Sequence, residues 1–268
     1  MPIAHVNGID IYYELHGDGP PLLNISGTGN DLRRSPASIL PINRAFTTLS
    51  YDQRGLGQTS KPVDDYTMAD YADDAAGLIA AVGWDRCRVV GTSFGGMVAL
   101  NLAIRHPAIV ERLVLNCTSA GGRSASYPLH ELADLDPDAA FAERMRITDR
   151  RWDPDAAEPI PGLGRFYEQM VTMMRSTPDP DVADGLRRQL AARSGHDVVD
   201  RLGEIACPTL VCAGEYDDIA PLANSELLAA SIPDARLQVF DGGHLFLVQD
   251  RTAYPAIIDF LRGTSRTD

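Results

Sequence analysis

A serine hydroxyl, a histidine that could take its proton and an aspartate that could orient that histidine each stand at the end of an apolar run in this chain. Ser93 lies in Gly91-Thr92-Ser93-Phe94-Gly95, after the strand-like Arg88-Val89-Val90 and before a helical stretch running to about His106. A strand, a Gly-x-Ser-x-Gly turn and a helix in that order make a nucleophile elbow. The sharp turn forces strained backbone angles on the serine, and a side chain two residues before or after it would collide with the turn. Gly91 and Gly95 remove that collision. The Ser93 hydroxyl is then pushed out at the carboxyl end of a sheet, beside a helix N-terminus whose free N–H groups favour negative charge. The plain alternative is a Ser/Gly turn that caps a helix.

A serine hydroxyl is a poor nucleophile near pH 7. It needs a base within hydrogen-bond reach, and the base needs an acceptor that fixes its tautomer. Of six histidines, only His244 follows a late strand on a Gly-Gly turn, at the sheet edge where Ser93 emerges. His5, His16, His106, His130 and His196 lie in a strand, a loop, a helix end and a strandless segment, as surface or packing residues. The acid has two adjacent candidates, Asp217 and Asp218, which could equally form a turn with capping carboxylates. The strand ending at Asn116 is another place to mount an acid and holds none. Serine, then aspartate, then histidine is the chain order of the α/β-hydrolase triad.

These groups need a sheet to hold them. Strands are expected at Ala4–Val6 and Ile9–Leu15, joined by the hairpin signal Asn7-Gly8, and at Pro21–Ile25, Phe46–Tyr51, Cys87–Val90 and Val110–Asn116. The pattern resumes at Cys207–Ala213 and Arg236–Phe240. Between them come a short helix over Ser35–Arg44 broken by Pro41, a helix from Thr67 to about Val82, the helix behind Ser93, and late helices at Asn224–Ser231 and Tyr254–Arg262. Thr67 with Asp70 reads as a helix cap. Such alternation predicts a mostly parallel sheet covered by helices on both faces, with ligands at the carboxyl ends of its strands. The Gly-rich turn Ser26–Asn30 lies at that edge too. It lacks the Gly-Lys-Ser/Thr ending of a phosphate loop.

From Arg123 to about Asp200 no strand is expected. Helical segments alternate with breaks at Pro128, Pro137, Pro154, Pro159, Pro161, Pro178 and Pro180. The chain therefore divides into a core of residues 1–121 and 201–268 and a helical cap of residues 122–200. Within the cap Phe166, Met170, Met173 and Met174 fall at helical spacing. They either pack on neighbouring helices or roof a substrate pocket, which Trp152 and Tyr167 could also line. Residues 263–268 read as a frayed tail.

The sequence has 268 residues, 44% hydrophobic, with net charge −13 and a single lysine, Lys61. So acidic a chain has no general electrostatic reason to bind nucleic acid or an anionic membrane. The N-terminus shows no signal peptide, and no run reaches the ~18 apolar residues of a membrane span. Cys87, Cys117, Cys207 and Cys212 fall in or beside apolar strands and have no metal-ligand spacing, so buried free thiols, no metal and a cytoplasmic location are expected.

Four stretches carry a family resemblance: Asp52-x-Arg54-Gly55-x-Gly57-x-Thr59, Gly91-x-Ser93-x-Gly95-Gly96, Gly214-x-x-Asp217-x-x-x-Pro221 and Gly243-His244. The chain resembles the α/β-hydrolase-fold serine hydrolases nearly end to end, the helical insertion excepted. The resemblance implies Ser93 as nucleophile, Asp217 as acid in preference to Asp218, and His244 as base. The backbone N–H groups of Phe94 and Thr28 would form the oxyanion hole; on the pocket reading of the apolar stripe, Phe166, Tyr167, Met170, Met174 and Trp152 would contact substrate. It implies no cofactor and a structural role for the Asp52–Thr59 loop. One departure is Ser26-Gly27, where the family commonly has His-Gly, so that loop must be supported differently. A serine at the elbow also separates the chain from dehalogenases and epoxide hydrolases of this fold, which attack with aspartate. The expected activity is cleavage of a carboxylic ester of a mainly hydrophobic small molecule. An enol-lactonase, a carbon–carbon bond hydrolase or a slow-turnover receptor would share this core. Substrate identity and oligomeric state stay open.

Overall fold

The structure is a computed structural model and describes residues 2–175 and 180–263. Its backbone is an eight-stranded sheet in the order β1-β2-β4-β3-β5-β6-β7-β8, with β1 Ile3–Val6, β2 Ile9–His16, β3 Pro21–Ile25, β4 Thr47–Tyr51, β5 Cys87–Thr92, β6 Val110–Asn116, β7 Thr209–Gly214 and β8 Ala235–Phe240. The first two strands close over Asn7 and Gly8, both at positive φ (50° and 77°), as a two-residue hairpin requires. The pairings β1–β2 and β2–β4 are antiparallel, and all others are parallel. The fold is that of the α/β hydrolases, with the mostly parallel sheet expected from sequence.

Side chains alternate across the sheet and divide the core in two. Leu23, Ile25, Leu49, Val89, Leu113, Leu115 and Val211 pack on helices α1 (Met68–Ala81), α2 (Phe94–Arg105) and, further along the chain, Leu222–Ser231. Leu22, Val90, Val114, Leu210 and Cys212 face the other way, onto Phe46, Phe246, Ile257, Phe260 and Leu261. Each fully buried leucine or isoleucine in these rows contributes about 1.5–3 kcal/mol. Thr67 caps α1: its hydroxyl accepts from the Asp70 N–H, and the Asp70 carboxylate accepts from the Thr67 N–H at 2.8 Å.

The expected helix over Ser35–Arg44 is instead two short 3-10 turns, Ala37–Ile39 and Pro41–Arg44. Leu40 between them is extended (φ −63°, ψ 126°), because Pro41 disfavours a helical residue before it.

Between β6 and β7 the described residues form no strand. They carry α3 (Pro137–Thr148), α4 (Arg165–Arg175) and α5 (Pro180–Ser194). The segment leaves and re-enters side by side: Gly121 bridges Asp197, and the Val198 N–H donates to the Ala120 carbonyl at 2.9 Å. After β7 come α6 (Leu222–Ser231), the single-turn helix α7 (Phe246–Gln249) and α8 (Ala253–Arg262), which ends on the left-handed Gly263. The break at Pro178 and residues 264–268 lie outside the described residues. No described helix is long and apolar enough to cross a membrane.

Candidate active site

At the turn between β5 and α2, Ser93 has φ 55° and ψ −116°, a conformation that costs an ordinary residue of order 1–3 kcal/mol. The strain is held from both sides. The Ser93 N–H donates to the Asn116 carbonyl at 2.8 Å, and the Thr118 hydroxyl donates to the Ser93 carbonyl at 2.7 Å. A Cβ on Gly95 would strike the Ile25 and Ser26 carbonyls, and one on Gly91 would strike the Gly95 carbonyl. Both glycines are there to let backbones approach.

Three side chains from three loops meet in a line. His244 Nε2 lies 3.0 Å from Ser93 Oγ, and His244 Nδ1 lies 2.7 Å from Asp217 Oδ2. The other carboxylate oxygen of Asp217 accepts the N–H groups of Ile219 (2.8 Å) and Ala220 (2.9 Å). Asp217 is buried and Ser93 is 8% exposed, enough to meet a ligand. Asp218 turns away to Arg146 (3.2 Å) and Arg150 (3.7 Å). Of the two adjacent aspartates, Asp217 is the one that reaches the histidine.

Burial pushes the His244 imidazole down. The facing Asp217 carboxylate and the adjacent Cys117 sulfur push it up, and the net shift is upward from the ordinary 6.5. The His244 loop is anchored from the helical segment between β6 and β7. Its N–H donates to the Thr148 carbonyl at 2.7 Å, at the end of α3. Gln249 accepts from the Gly243 N–H (2.9 Å) and donates to buried Asp149 (2.8 Å). Arg151 holds the same carboxylate at 2.7 Å and, together with Gln249, keeps its pKa below the ordinary value against the opposing effect of burial.

The Gly-rich turn after β3 lies against the serine: a Cβ on Gly27 would stand 3.5 Å from Ser93 Cβ. Within the described residues, the N–H groups of Thr28 and Phe94 donate to no acceptor, so both are free to receive one. Ser26 is held by Gln53, whose amide donates to the Ser26 carbonyl at 2.9 Å. From α5, Gln189 Oε1 accepts the Gly29 N–H at 2.7 Å. The Asp52–Thr59 loop folds on itself: Asp52 accepts from Leu32 and Gln58 N–H groups, both at 2.7 Å, and Arg54 clasps Asp74 at 2.6 and 2.8 Å.

Of the cap residues, Met170 packs in a small cluster with Met145, Ile160 and Leu163, flanked by Trp152, Tyr167 and Leu245, the neighbour of His244. The Trp152 indole N–H donates to the Tyr167 hydroxyl at 3.2 Å. Phe166 and Met174 are not in that cluster and are exposed (38% and 36%). Helical spacing defines a stripe but not where along it the neighbouring element stops. The side chain of Met173 lies outside the described residues.

Gln53, Gln189, Gln249 and Cys117 were not singled out as site residues by sequence reasoning. All four cysteines are free thiols, and Cys87, Cys117 and Cys212 are buried. Cys117 sits at φ 40° just past β6. Its sulfur, an Asp217 oxygen and a His244 nitrogen lie within 4.8 Å of one another, the one group among the described residues with the makings of a metal site. Two of its members are already paired with each other. The available signal for Cys117 was its place at a strand's carboxyl end.

The arrangement sets a hydroxyl, an imidazole and a carboxylate in line beside two free backbone N–H groups. The alpha/beta hydrolase fold family matches residues 20–250. The poly(3-hydroxyalkanoate) depolymerase of Ectopseudomonas oleovorans is 30% identical over 249 residues, 90% of this chain and 84% of that protein. A crystal structure of a hydrolase from Pseudomonas aeruginosa PA01 superposes with TM-score 0.79 at 31% identity, covering 98% of both chains. The enol-lactonase from Burkholderia xenovorans LB400 shares the fold at TM-score 0.80 and 24% identity, over 97% of this chain and 100% of that one. With the match spanning sheet, elbow and histidine loop alike, the chain belongs to the α/β-hydrolase fold family and is a hydrolase of that fold.

Proposed function

We propose that the protein is a cofactor-independent serine hydrolase that cleaves a carboxylic ester of a mainly hydrophobic small molecule through an acyl-enzyme. The observation that carries this reading is the line Asp217–His244–Ser93, with hydrogen-bond distances of 2.7 and 3.0 Å. Ser93 Oγ attacks the carbonyl carbon while His244 Nε2 takes its proton. Asp217 accepts Nδ1–H, which fixes the tautomer and stabilises the imidazolium. The N–H groups of Phe94 and Thr28 receive the tetrahedral oxyanion, and losing one such donor costs about 2.7–4 kcal/mol. His244 then gives its proton to the leaving oxygen, and water repeats the cycle on the acyl group.

In this reading residues 122–200 act as the cap. Trp152, Tyr167 and Met170 supply apolar surface beside the histidine loop, and Met174 lines the outer cleft. The likeness to a depolymerase of poly(3-hydroxyalkanoate), whose units are joined through esters, supports ester chemistry. A lactone is an internal ester and would be opened by the same steps. The substrate is a small molecule, and the acidic chain favours neither nucleic acid nor an anionic membrane as partner.

The test is turnover of 4-nitrophenyl esters and lactones by wild type and Ser93→Ala. Loss of the serine lowers kcat by at least about 10⁴-fold, since removing a nucleophile leaves only the residual catalysis of oxyanion hole and binding. Undiminished turnover in Ser93→Ala, with the fold retained, overturns the assignment.

A further inference from the structure

Gln189 is fully buried in the middle of α5, on the face formed by Val182, Gly185, Gln189 and Ala192. That spacing of three and four residues is one side of a helix, and the other members are small or apolar. A Cβ on Gly185 would strike the Gly55 carbonyl, and one on Gly29 would stand 3.2 Å from Leu186 Cδ1. Next to Gln189, Arg188 donates to the Asp64 carbonyl at 2.8 Å. α5 is thus seated directly on the loops that follow β3 and β4. On such a face an apolar side chain is the ordinary choice, and the glutamine is only half satisfied. Its Oε1 accepts the Gly29 N–H at 2.7 Å, while Nε2 is buried with no acceptor among the described residues. The N–H partner fixes which end of the amide is the oxygen. Leaving the NH₂ unpaired is unfavourable, so stability alone does not account for an amide at this position.

The bond falls beside the reacting line. The Gly-rich turn is gripped from two sides: Gln53 donates to the Ser26 carbonyl at 2.9 Å, and Gln189 takes the Gly29 N–H from the helical segment. Thr28 stands between the two grips and does little to hold itself. Its hydroxyl is buried without a partner, and its N–H is free. The turn's own bond, from the Asn30 N–H to the Gly27 carbonyl, is long at 3.4 Å. Gly29 sits at φ 69°, and glycine has the widest choice of backbone angles. Fixing the chain at Ser26 and at Gly29 leaves the peptide that carries the Thr28 N–H little room to turn.

We infer that Gln189 is a positioning residue for the oxyanion hole: carried by α5, it holds the Gly-rich turn so that the Thr28 N–H meets the oxygen that gains charge when Ser93 attacks. The hole is then completed by the helical segment and not by the sheet alone. The inference rests on the serine hydrolase reading for its reaction, whereas the fixing of the turn can be measured apart from any reaction. Formation and breakdown of the acyl-enzyme both pass through an oxyanion, so both steps depend on Gln189. A preorganised donor acts on charge that develops in the transition state, so its misplacement lowers kcat and spares KM.

The experiment compares wild type with Gln189→Met, which keeps length and volume but cannot take the Gly29 N–H. Gln189→Asn is the second variant, its amide one methylene short of Gly29, and thermal melting confirms that each folds. On a 4-nitrophenyl ester, kcat should fall at least about tenfold in both, with KM held within about twofold, because a misplaced donor forfeits part of what a lost one forfeits. A trifluoromethyl ketone is the sharper probe. Ser93 Oγ adds to its carbonyl carbon, the serine proton passes to His244, and the carbonyl electron pair becomes an oxyanion. Its inhibition constant should rise in step with the loss of kcat, while that of the matching secondary alcohol, which forms no adduct, should not move. Apart from turnover, hydrogen exchange at the Gly29 amide should quicken in both variants while the amides of α5 keep their protection. Unchanged kcat, or an unchanged Gly29 amide, overturns the inference. So does a loss shared equally by the ketone and the alcohol, which would mean a role in binding or folding. If wild type neither turns over an ester nor forms the ketone adduct, the serine hydrolase reading fails, while Gly29 exchange still decides whether Gln189 holds the turn.

Discussion

The sheet side of the site and the helical side treat their polar groups in opposite ways. On the sheet side the groups that hold the Asp217–His244–Ser93 line are bonded within the protein. Asp217 accepts from Ile219 and Ala220 and bonds His244, while the Ser93 carbonyl and N–H are paired with Thr118 and Asn116. On the helical side Arg144 Nε, Arg193 Nε and Gln189 Nε2 are buried and unpaired. Positioning groups must be fixed before substrate arrives, because a reacting hydroxyl displaced by an ångström loses its advantage. The difference teaches that the reacting line is fixed by bonds within the protein while the helical side holds polar atoms without partners, and it can be attacked from either side.

The largest effect should come from the fully satisfied side. Asp217→Asn keeps the shape but removes the charge and favours the wrong tautomer, so kcat should fall about 10⁴-fold. Its pH profile carries a sign. Asp217 holds the His244 pKa up, and a protonated imidazole cannot act as base. Without the carboxylate that pKa falls, so the acidic limb of kcat/KM should move to lower pH. A limb that stays put or rises would mean another group titrates.

Next is Gly95→Ala, whose Cβ would meet the Ile25 and Ser26 carbonyls. Overpacking against fixed backbone costs about 1–3 kcal/mol or more, so both melting temperature and activity should drop together. A variant that keeps both would show that the elbow is not held as tightly as the comparison claims.

Gln189→Leu probes the seam between the two sides. It leaves the Gly29 N–H without its partner, a loss of about 1–3 kcal/mol. Steady-state kinetics should show a lower kcat, through the Thr28 loop, with a smaller change in melting temperature. An unchanged kcat would show that α5 does not hold the loop in its working position. Thr67→Ala is smallest and marks the boundary of the site: losing the α1 cap should cost about 1 kcal/mol in a denaturation curve and leave kcat and KM alone.

Most of the sheet side was legible in the chain. Ser93, His244 and Asp217 stand at strand ends, and glycines at fixed offsets record the turns they need. The residues alone left Asp217 and Asp218 open and only the family resemblance favoured Asp217, since the turn's path decides which carboxylate faces inward. Gln53 and Gln189 escaped notice because each acts on a loop distant in sequence, by 27 and 160 residues. The apolar stripe of α4 was visible, but Met170 is buried and Phe166 exposed, because spacing gives a face and not its partner. Arg144 and Arg193 looked like any of the arginines in a helical, acidic segment. An arginine's lack of a partner is a property of three dimensions.

The most direct test of the central claim is reaction with a fluorophosphonate, followed by intact mass and site mapping. The account predicts one stoichiometric adduct on Ser93, absent from Ser93→Ala and slowed in His244→Ala. No adduct in folded wild-type protein, or an adduct elsewhere with Ser93 untouched, would contradict it.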